Sequence, residues 1–399
     1  MRYTDYMEKS LFLWEEEDAT EEMILEFLEQ EENFLTFGER LERIIRRKMS
    51  GDEVLSPQEY LTNKVKEKHL DKAGISRNTI PNWFAEDKHR KSPQSREHMY
   101  LISFALELTE EETRELFTKV YFDRPFNVRE KREFVYLYCI RNGLPYSGAE
   151  SMLQKLMEQK VEERFHNKGI EETMQTLMLT RVLQDMQDED RVLAFMKKHE
   201  HSFQINNQSV QIIISTLLRE ILTDDKEQTY LAKEIERDPE LLKPGAKATS
   251  YSNMLAVITG VNLVKASELK GKSVYKTARL PKEIMNRFPT THTFSKWNRW
   301  TKEGKQEAAP TAEELRKMLI LLFSYRFWYQ VQYEDREKNA SKDKRLQVYM
   351  EELDDLLAQS NLQPLYYGNP FDWLFLYCTL LEEPLTGFRF LYDEVFAEE

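Results

Sequence analysis

Apolar residues recur at helical spacing along nearly the whole chain, and strict alternation is scarce. From Glu150 to Arg164, the residues Met152, Leu153, Leu156, Met157 and Val161 share one face of a 3.6-residue period. The stretches Glu171–Gln187, Gln208–Leu222, Thr311–Phe327 and Arg345–Ala358 carry the same signature. No Asn-Gly or Asp-Gly pair stands between two alternating runs, so hairpins lack their usual turn. The pattern predicts an all-α, multi-helical fold. No apolar run reaches the ~18 residues that span a bilayer; the longest, Val210–Leu218 and Met318–Phe323, read as core.

The pattern also repeats. Phe134-Val-Tyr-Leu-Tyr-Cys139 matches Trp373-Leu-Phe-Leu-Tyr-Cys378. Upstream, Trp83 lies ten residues before Pro93 and Trp300 ten before Pro310, and each proline opens a helical stretch, Ser95–Leu106 and Thr311–Leu322. Acidic amphipathic stretches follow, Thr109–Val120 and Glu351–Asn361. Proline and cysteine are 46 residues apart in one copy and 68 in the other, and the excess is expected in Tyr333–Lys344. Two diverged copies predict a two-lobed molecule; two are too few for a solenoid. Both cysteines fall at one place in the repeat, among Tyr, Leu, Phe and Ile. That reads as buried structural thiol, since a nucleophile needs a polar, electropositive setting.

Length sharpens the organisation, since 399 residues predict two or three domains. Two cysteines cannot frame a disulfide scaffold, and with no signal-like N-terminus the expectation is a cytoplasmic protein. Net charge is −13 but uneven: residues 1–36 carry −10, residues 64–97 carry +4 and residues 243–305 carry +10. The expected divisions are an acidic N-terminal helical segment (1–50), a bundle (51–125), a middle helical region (126–240), a basic region (241–330) and a C-terminal helical region (331–399).

Within the second division the local signals line up. Ser56-Pro57 with Glu59 is a helix start, with Tyr60, Leu61 and Val65 facing a core. Leu70-Asp-Lys-Ala-Gly-Ile75 leads to Ser76-Arg-Asn-Thr-Ile-Pro-Asn-Trp-Phe84, with Ser76 as N-cap. Then come the basic connection Lys88–Arg96, the helix Glu97–Leu108 and a helix capped by Thr109-Glu-Glu-Glu112. This series, Lys72-Ala-Gly-Ile-Ser-Arg-Asn-Thr-Ile80, Ser92-Pro93, Ser95-Arg-Glu97 and Leu101 through Phe117, resembles the phage-repressor-like (xenobiotic-response-element type) helix-turn-helix family over residues 56–121. The resemblance implies a five-helix bundle whose third helix, Ser76–Phe84, enters the major groove of double-stranded DNA. It makes Arg77 and Asn78 base contacts, since Arg and Asn pair bidentately with guanine and adenine. Ser76 and Thr79 become phosphate contacts, Asn82 lies on the same helix, and Lys88, His89, Arg90 and Lys91 flank the backbone. Ile80 and Trp83 read as core. Pro81 departs from the pattern and predicts that the helix either begins late, near Thr79, or is kinked.

The +10 segment interleaves basic residues with Tyr251, Tyr275, Phe288, Phe294, Trp297 and Trp300, a composition suited to nucleic acid. By the repeat, Thr293–Trp300 is the second recognition segment, with Thr291, His292, Ser295, Lys296 and Arg299 as contacts. The sequence holds no Gly-rich phosphate loop, no His-Glu-x-x-His and no Cys-x-x-Cys, so neither enzyme, metal nor cofactor is expected. His199-Glu200-His201 reads as an exposed helix end. The expectation is a sequence-specific DNA-binding transcriptional regulator, with homodimerisation open and no membrane partner. The alternative is a non-enzymatic interaction module whose bundles and acidic N-terminus dock a basic protein.

Overall fold

The computed structural model describes residues 20, 35–49, 55–75, 78–85, 95–158, 179, 181–183, 186, 188–203, 208–222, 229–241, 250–260, 288–337 and 340–396. Among these the fold is all-helical, without a strand, and no helix is long and apolar enough to cross a membrane. The described residues belong to two compact units, Leu35–Asn206 and one containing Asn207–Glu399. The boundary lies well before the one expected at 240/241, which falls within the 3-10 turn Pro239–Leu241. The boundary expected at 330/331 falls inside a helix.

The first unit opens with α1 (Phe37–Lys48), begun by a reciprocal cap between Thr36 and Glu39. Phe37, Leu41, Ile44 and Ile45 bury one face in the same core as the residues that follow. Residues 37–48 therefore belong to the bundle, not to a separate N-terminal segment ending at 50. The acid count of the first 36 residues had masked the change to apolar spacing. Helix α2 (Pro57–Glu67) starts at the predicted Ser56/Glu59 box and buries Leu61 and Val65. A 3-10 turn, Leu70–Ala73, ends at Gly74, whose φ of +134° is open to glycine alone at little cost. Then follow α3 (Thr79–Phe84), α4 (Arg96–Ala105) and α5 (Glu110–Glu115), the last prolonged by a π turn, Leu116–Tyr121. Thr109 and Glu112 form its predicted capping box. Helix α6 (Lys131–Arg141) is buried from Glu133 to Ile140; α7 (Tyr146–Glu158), α8 (Glu189–Lys198) and the 3-10 turn Glu200–Phe203 follow. Residues 159–164 of the predicted helix Glu150–Arg164, and most of Glu171–Gln187, lie outside the described residues.

The second unit contains α9 (Gln208–Leu222), α10 (Tyr230–Arg237), α11 (Tyr251–Thr259), α12 (Thr291–Glu303), α13 (Ala312–Tyr333), α14 (Lys342–Gln359), α15 (Pro370–Leu380) and α16 (Pro384–Phe396). Every residue of α15 is buried, and most of α13 is. A helix apolar on all sides is a core helix, which accounts for the run Met318–Phe323. The longer span from Pro310 to Cys378, against that from Pro93 to Cys139, sits mainly in helices rather than in Tyr333–Lys344. Helix α13 has 22 residues against ten in α4, and α14 has 18 against twelve across α5 and its π turn.

Each unit is pinned by a buried arginine–carboxylate clamp. In the first, Glu133 accepts from Arg96 Nε and Nη2 (both 2.8 Å), from the Tyr100 hydroxyl (2.7 Å) and from the main-chain N–H of Asn127 (2.6 Å). Arg96 Nη1 also reaches Asp123 (2.5 Å) and the carbonyl of Arg124 (2.9 Å). Burial pushes the Glu133 carboxyl up, but the Arg96 bonds and charge outweigh it and hold the group below its usual value. In the second unit, Asp372 accepts from Arg316 Nη1 (2.7 Å) and Nη2 (2.6 Å) and from the N–H of Tyr366 (2.9 Å). Arg316 Nε reaches the carbonyl of Gln363 (2.7 Å) and Nη2 that of Pro364 (2.9 Å).

Candidate nucleic-acid interface

Helix α3 is short because its start is late. The first helical residue is Thr79, so Pro81 occupies the third position of the first turn. No backbone N–H there has an intrahelical partner to lose, and the proline is accommodated without a kink. The N-cap is Asn78, not Ser76 as the sequence suggested. Ser76 and Arg77, and the flanking Lys88, His89, Arg90 and Lys91, lie outside the described residues. Of the residues expected to read DNA, Asn78 is exposed and Thr79 and Asn82 are half-buried. Ile80 and Trp83 point the other way and are buried, as predicted.

What holds α3 in place is a close approach that the sequence reading overlooked. Helix α3 packs against α1 and α2. Phe37 meets the Trp83 ring edge-on at 5.6 Å, and His98 from α4 meets it from another direction at 5.7 Å. A Cβ on Gly38 would stand 2.3 Å from the carbonyl oxygen of Trp83. Only glycine lets α1 lie against the α3 backbone at this distance. A glycine at the second position of an apolar-periodic segment was the available signal.

In the second unit α12 divides its residues sharply. Thr293, Phe294, Trp297 and Trp300 are buried, whereas Thr291, His292, Ser295, Arg299 and Lys302 are exposed along one face. Thr293 therefore serves the fold: its hydroxyl accepts from the N–H of Thr290 at 3.2 Å. Ser295 bonds back to the carbonyl of Thr291 at 2.8 Å. Lys296, expected as a DNA contact, is half-buried at the margin of the face and pairs with Glu314 at 2.8 Å. Burial raises the Glu314 carboxyl, but its bonds to Lys296 and to the Thr311 N–H prevail and hold it low. Arg299 stays exposed. Two parts of the expected set are thus brought to exposed helix faces, Asn78 on α3 and Arg299 on α12, while Lys296 is committed to an ion pair.

The cysteines are buried, as their neighbours predicted. Cys139 lies 3.8 Å from the sulfur of Met152, and burial pushes its thiol up to about 12. His199 packs on Phe195 with ring centroids 4.7 Å apart, at the end of α8. Among the described residues no group of three or more His, Cys, Asp and Glu is placed to hold a metal ion. No protein-family model matches the chain, and no curated protein or solved structure is significantly similar to it.

Proposed function

We propose that the chain binds double-stranded DNA sequence-specifically through α3 and acts as a regulator of transcription. The observation that carries this reading is the seating of α3. A short helix clamped by α1 and α2 buries Ile80 and Trp83, leaves Asn78 exposed and keeps Asn82 half-buried. A helix held this way by two others is what major-groove insertion requires. Asn is a residue type that pairs bidentately with adenine. Arg77 joins it as a base contact, with Ser76, Thr79, Lys88, Arg90 and Lys91 on phosphates. The decisive experiment is fluorescence anisotropy with labelled duplexes, including the DNA upstream of the gene and a scrambled control, titrated in salt. Arg77→Ala with Asn78→Ala should reduce discrimination between them by roughly 10- to 100-fold. Lys88→Ala with Arg90→Ala should weaken all duplexes alike and flatten the salt slope. No binding at low salt, or equal binding of every duplex, refutes the proposal and favours a protein-docking role for the bundle.

We also propose that residues 251–396 duplicate residues 37–158. Three observations support this. Trp83 lies 46 residues after Phe37, and Trp297 lies 46 after Tyr251, the first residues of α1 and α11. Helices α6 and α15 both have eleven residues, and α7 and α16 both have thirteen. The clamps share one register. Glu133 and Asp372 are each the third residue of their helix and six residues before a buried cysteine. Each accepts from the N–H six residues upstream, and each arginine binds the carbonyl nine upstream. This alignment pairs Trp83 with Trp297, one turn away from the Trp300 suggested by proline spacing.

A further inference from the structure

We infer that α12 is a second DNA-reading helix, so that a single chain addresses two half-sites of unlike sequence. The inference rests on the DNA-binding reading of α3 and extends it to the other unit. In the register set by the 46-residue spacing from the first residues of α1 and α11, Thr79-Ile80-Pro81-Asn82-Trp83 aligns with Thr293-Phe294-Ser295-Lys296-Trp297. The residues that anchor α3 have counterparts that anchor α12: Ile80 and Trp83 are buried, and so are Phe294 and Trp297. The neighbour is equivalent as well, since α12 packs against α11 as α3 packs against α1. Tyr251 stacks on Phe294, the counterpart of Ile80, at 5.3 Å, and Phe37 meets Trp83 one turn further along α3.

The outward face is the part that differs, and it differs in a direction that suits DNA. Helix α12 runs 13 residues against six in α3 and so presents a longer face. Along it stand Thr291, His292, Ser295, Arg299 and Lys302. Two of these are basic at neutral pH, and Arg299 can pair bidentately with guanine. His292 occupies the position of Asn78, and Lys296, held by Glu314, that of Asn82. Helix-turn-helix proteins commonly read two half-sites by dimerising. A duplicated chain carries both readers covalently, which raises the effective concentration of the second for its half-site. Because the reading residues differ, the half-sites differ, and the target is not a palindrome.

The test uses the full chain and a duplex enriched by it from a random pool. The stoichiometry of the complex is measured by mass, and contacts by hydroxyl-radical footprinting. The expected result is one chain per duplex and two protected blocks of unlike sequence. His292→Ala with Arg299→Ala should release one block, leave the other protected and weaken binding by roughly 10- to 100-fold. Both substituted residues are exposed, so the melting temperature should stay unchanged and serves as the folding control. Asn78→Ala with Asn82→Ala should release the other block. A single protected block, or two chains per duplex with a footprint indifferent to the α12 variant, overturns this inference and leaves the α3 reading standing. Failure to enrich any duplex overturns both.

Discussion

Removing the charge from Asp372 should be the most damaging small change in the second unit. The carboxylate is fully buried, and its partner Arg316 is 6% exposed. In Asp372→Asn the guanidinium keeps its bonds to the carbonyls of Gln363 and Pro364 and one bond to the amide oxygen, but loses its counter-ion and the second side-chain bond. A buried charge left without its counter-ion typically costs about 3–5 kcal/mol. The first unit offers an internal comparison. There Arg96 is 23% exposed and has a second carboxylate, Asp123, so Glu133→Gln should cost less, about 1.5–3 kcal/mol. The assay is urea unfolding followed by tryptophan emission, with Trp373 beside Asp372 and Trp83 in the first unit as local probes. Arg316→Met should cost about as much as Asp372→Asn, and the double variant should cost less than their sum by about 2 kcal/mol, within the range known for contacting pairs. Additive costs, or a Glu133→Gln loss as large as that of Asp372→Asn, would refute the burial argument.

Other substitutions probe the same physics elsewhere. Gly38→Ala drives a Cβ into the Trp83 carbonyl and should cost about 1–3 kcal/mol or more by overpacking. Gly148→Ala on α7, where the nearest atoms are 3.9 Å away, should be neutral or stabilising by up to about 1 kcal/mol; equal losses at the two sites would sink the packing explanation. Because Glu133 is held below its usual value, its contribution is present above the unfolded carboxyl value near ~4.3 and is lost as pH falls through the folded value. The urea midpoint of the first unit should therefore fall on acidification below about pH 4.5, and less steeply in Glu133→Gln, as circular dichroism at several pH values would reveal. Thiol titration at pH 8 should find no reactive cysteine in the native chain and two in urea, since Cys139 is pushed up to about 12 and Cys378 is buried. Fast labelling of either in the native state contradicts that placement.

Local signals were legible where one residue type has one job. The capping boxes at Ser56 and Thr109 were readable from Ser-Pro-x-Glu and Thr-x-x-Glu, and Gln208–Leu222 was read to the residue. Pro81 was legible as a conflict, and the structure resolves it by starting α3 at Thr79. Long-range relations were not readable. Seventy carboxylates give no hint that Glu133 and Asp372 are the clamped ones. Their pairing depends on arginines 37 and 56 residues away and on main-chain groups in the preceding loops. The register of α12 against α3 is open for a similar reason. Trp297 and Trp300 lie three apart and are both buried, so spacing to a proline cannot choose between them, and the proposed register rests on the distance from the first residue of α11.

The two proposed copies also differ in how their helices approach each other. Position 38 needs glycine so that α1 can touch the α3 backbone, but its counterpart, Ser252, carries a Cβ. Helix α11 therefore cannot approach α12 by that route. Contact there is made through the stacked Tyr251 and Phe294 rings instead. Helix α12 compensates with length: Trp300, one turn beyond Trp297, adds a second large ring to the buried side, and the two meet edge-on at 5.6 Å. An anchor of two tryptophans and a phenylalanine frees the whole opposite side, from Thr291 to Lys302, for polar residues. Trp300→Ala should accordingly loosen the C-terminal half of α12, where Arg299 sits, at a cost of about 3–5 kcal/mol. Hydrogen exchange should report faster amides after Trp297 while those of Phe294–Lys296 stay protected. Uniform loss of protection along α12 would mean that the two tryptophans act as one anchor, and that the length of the exposed face has a different cause.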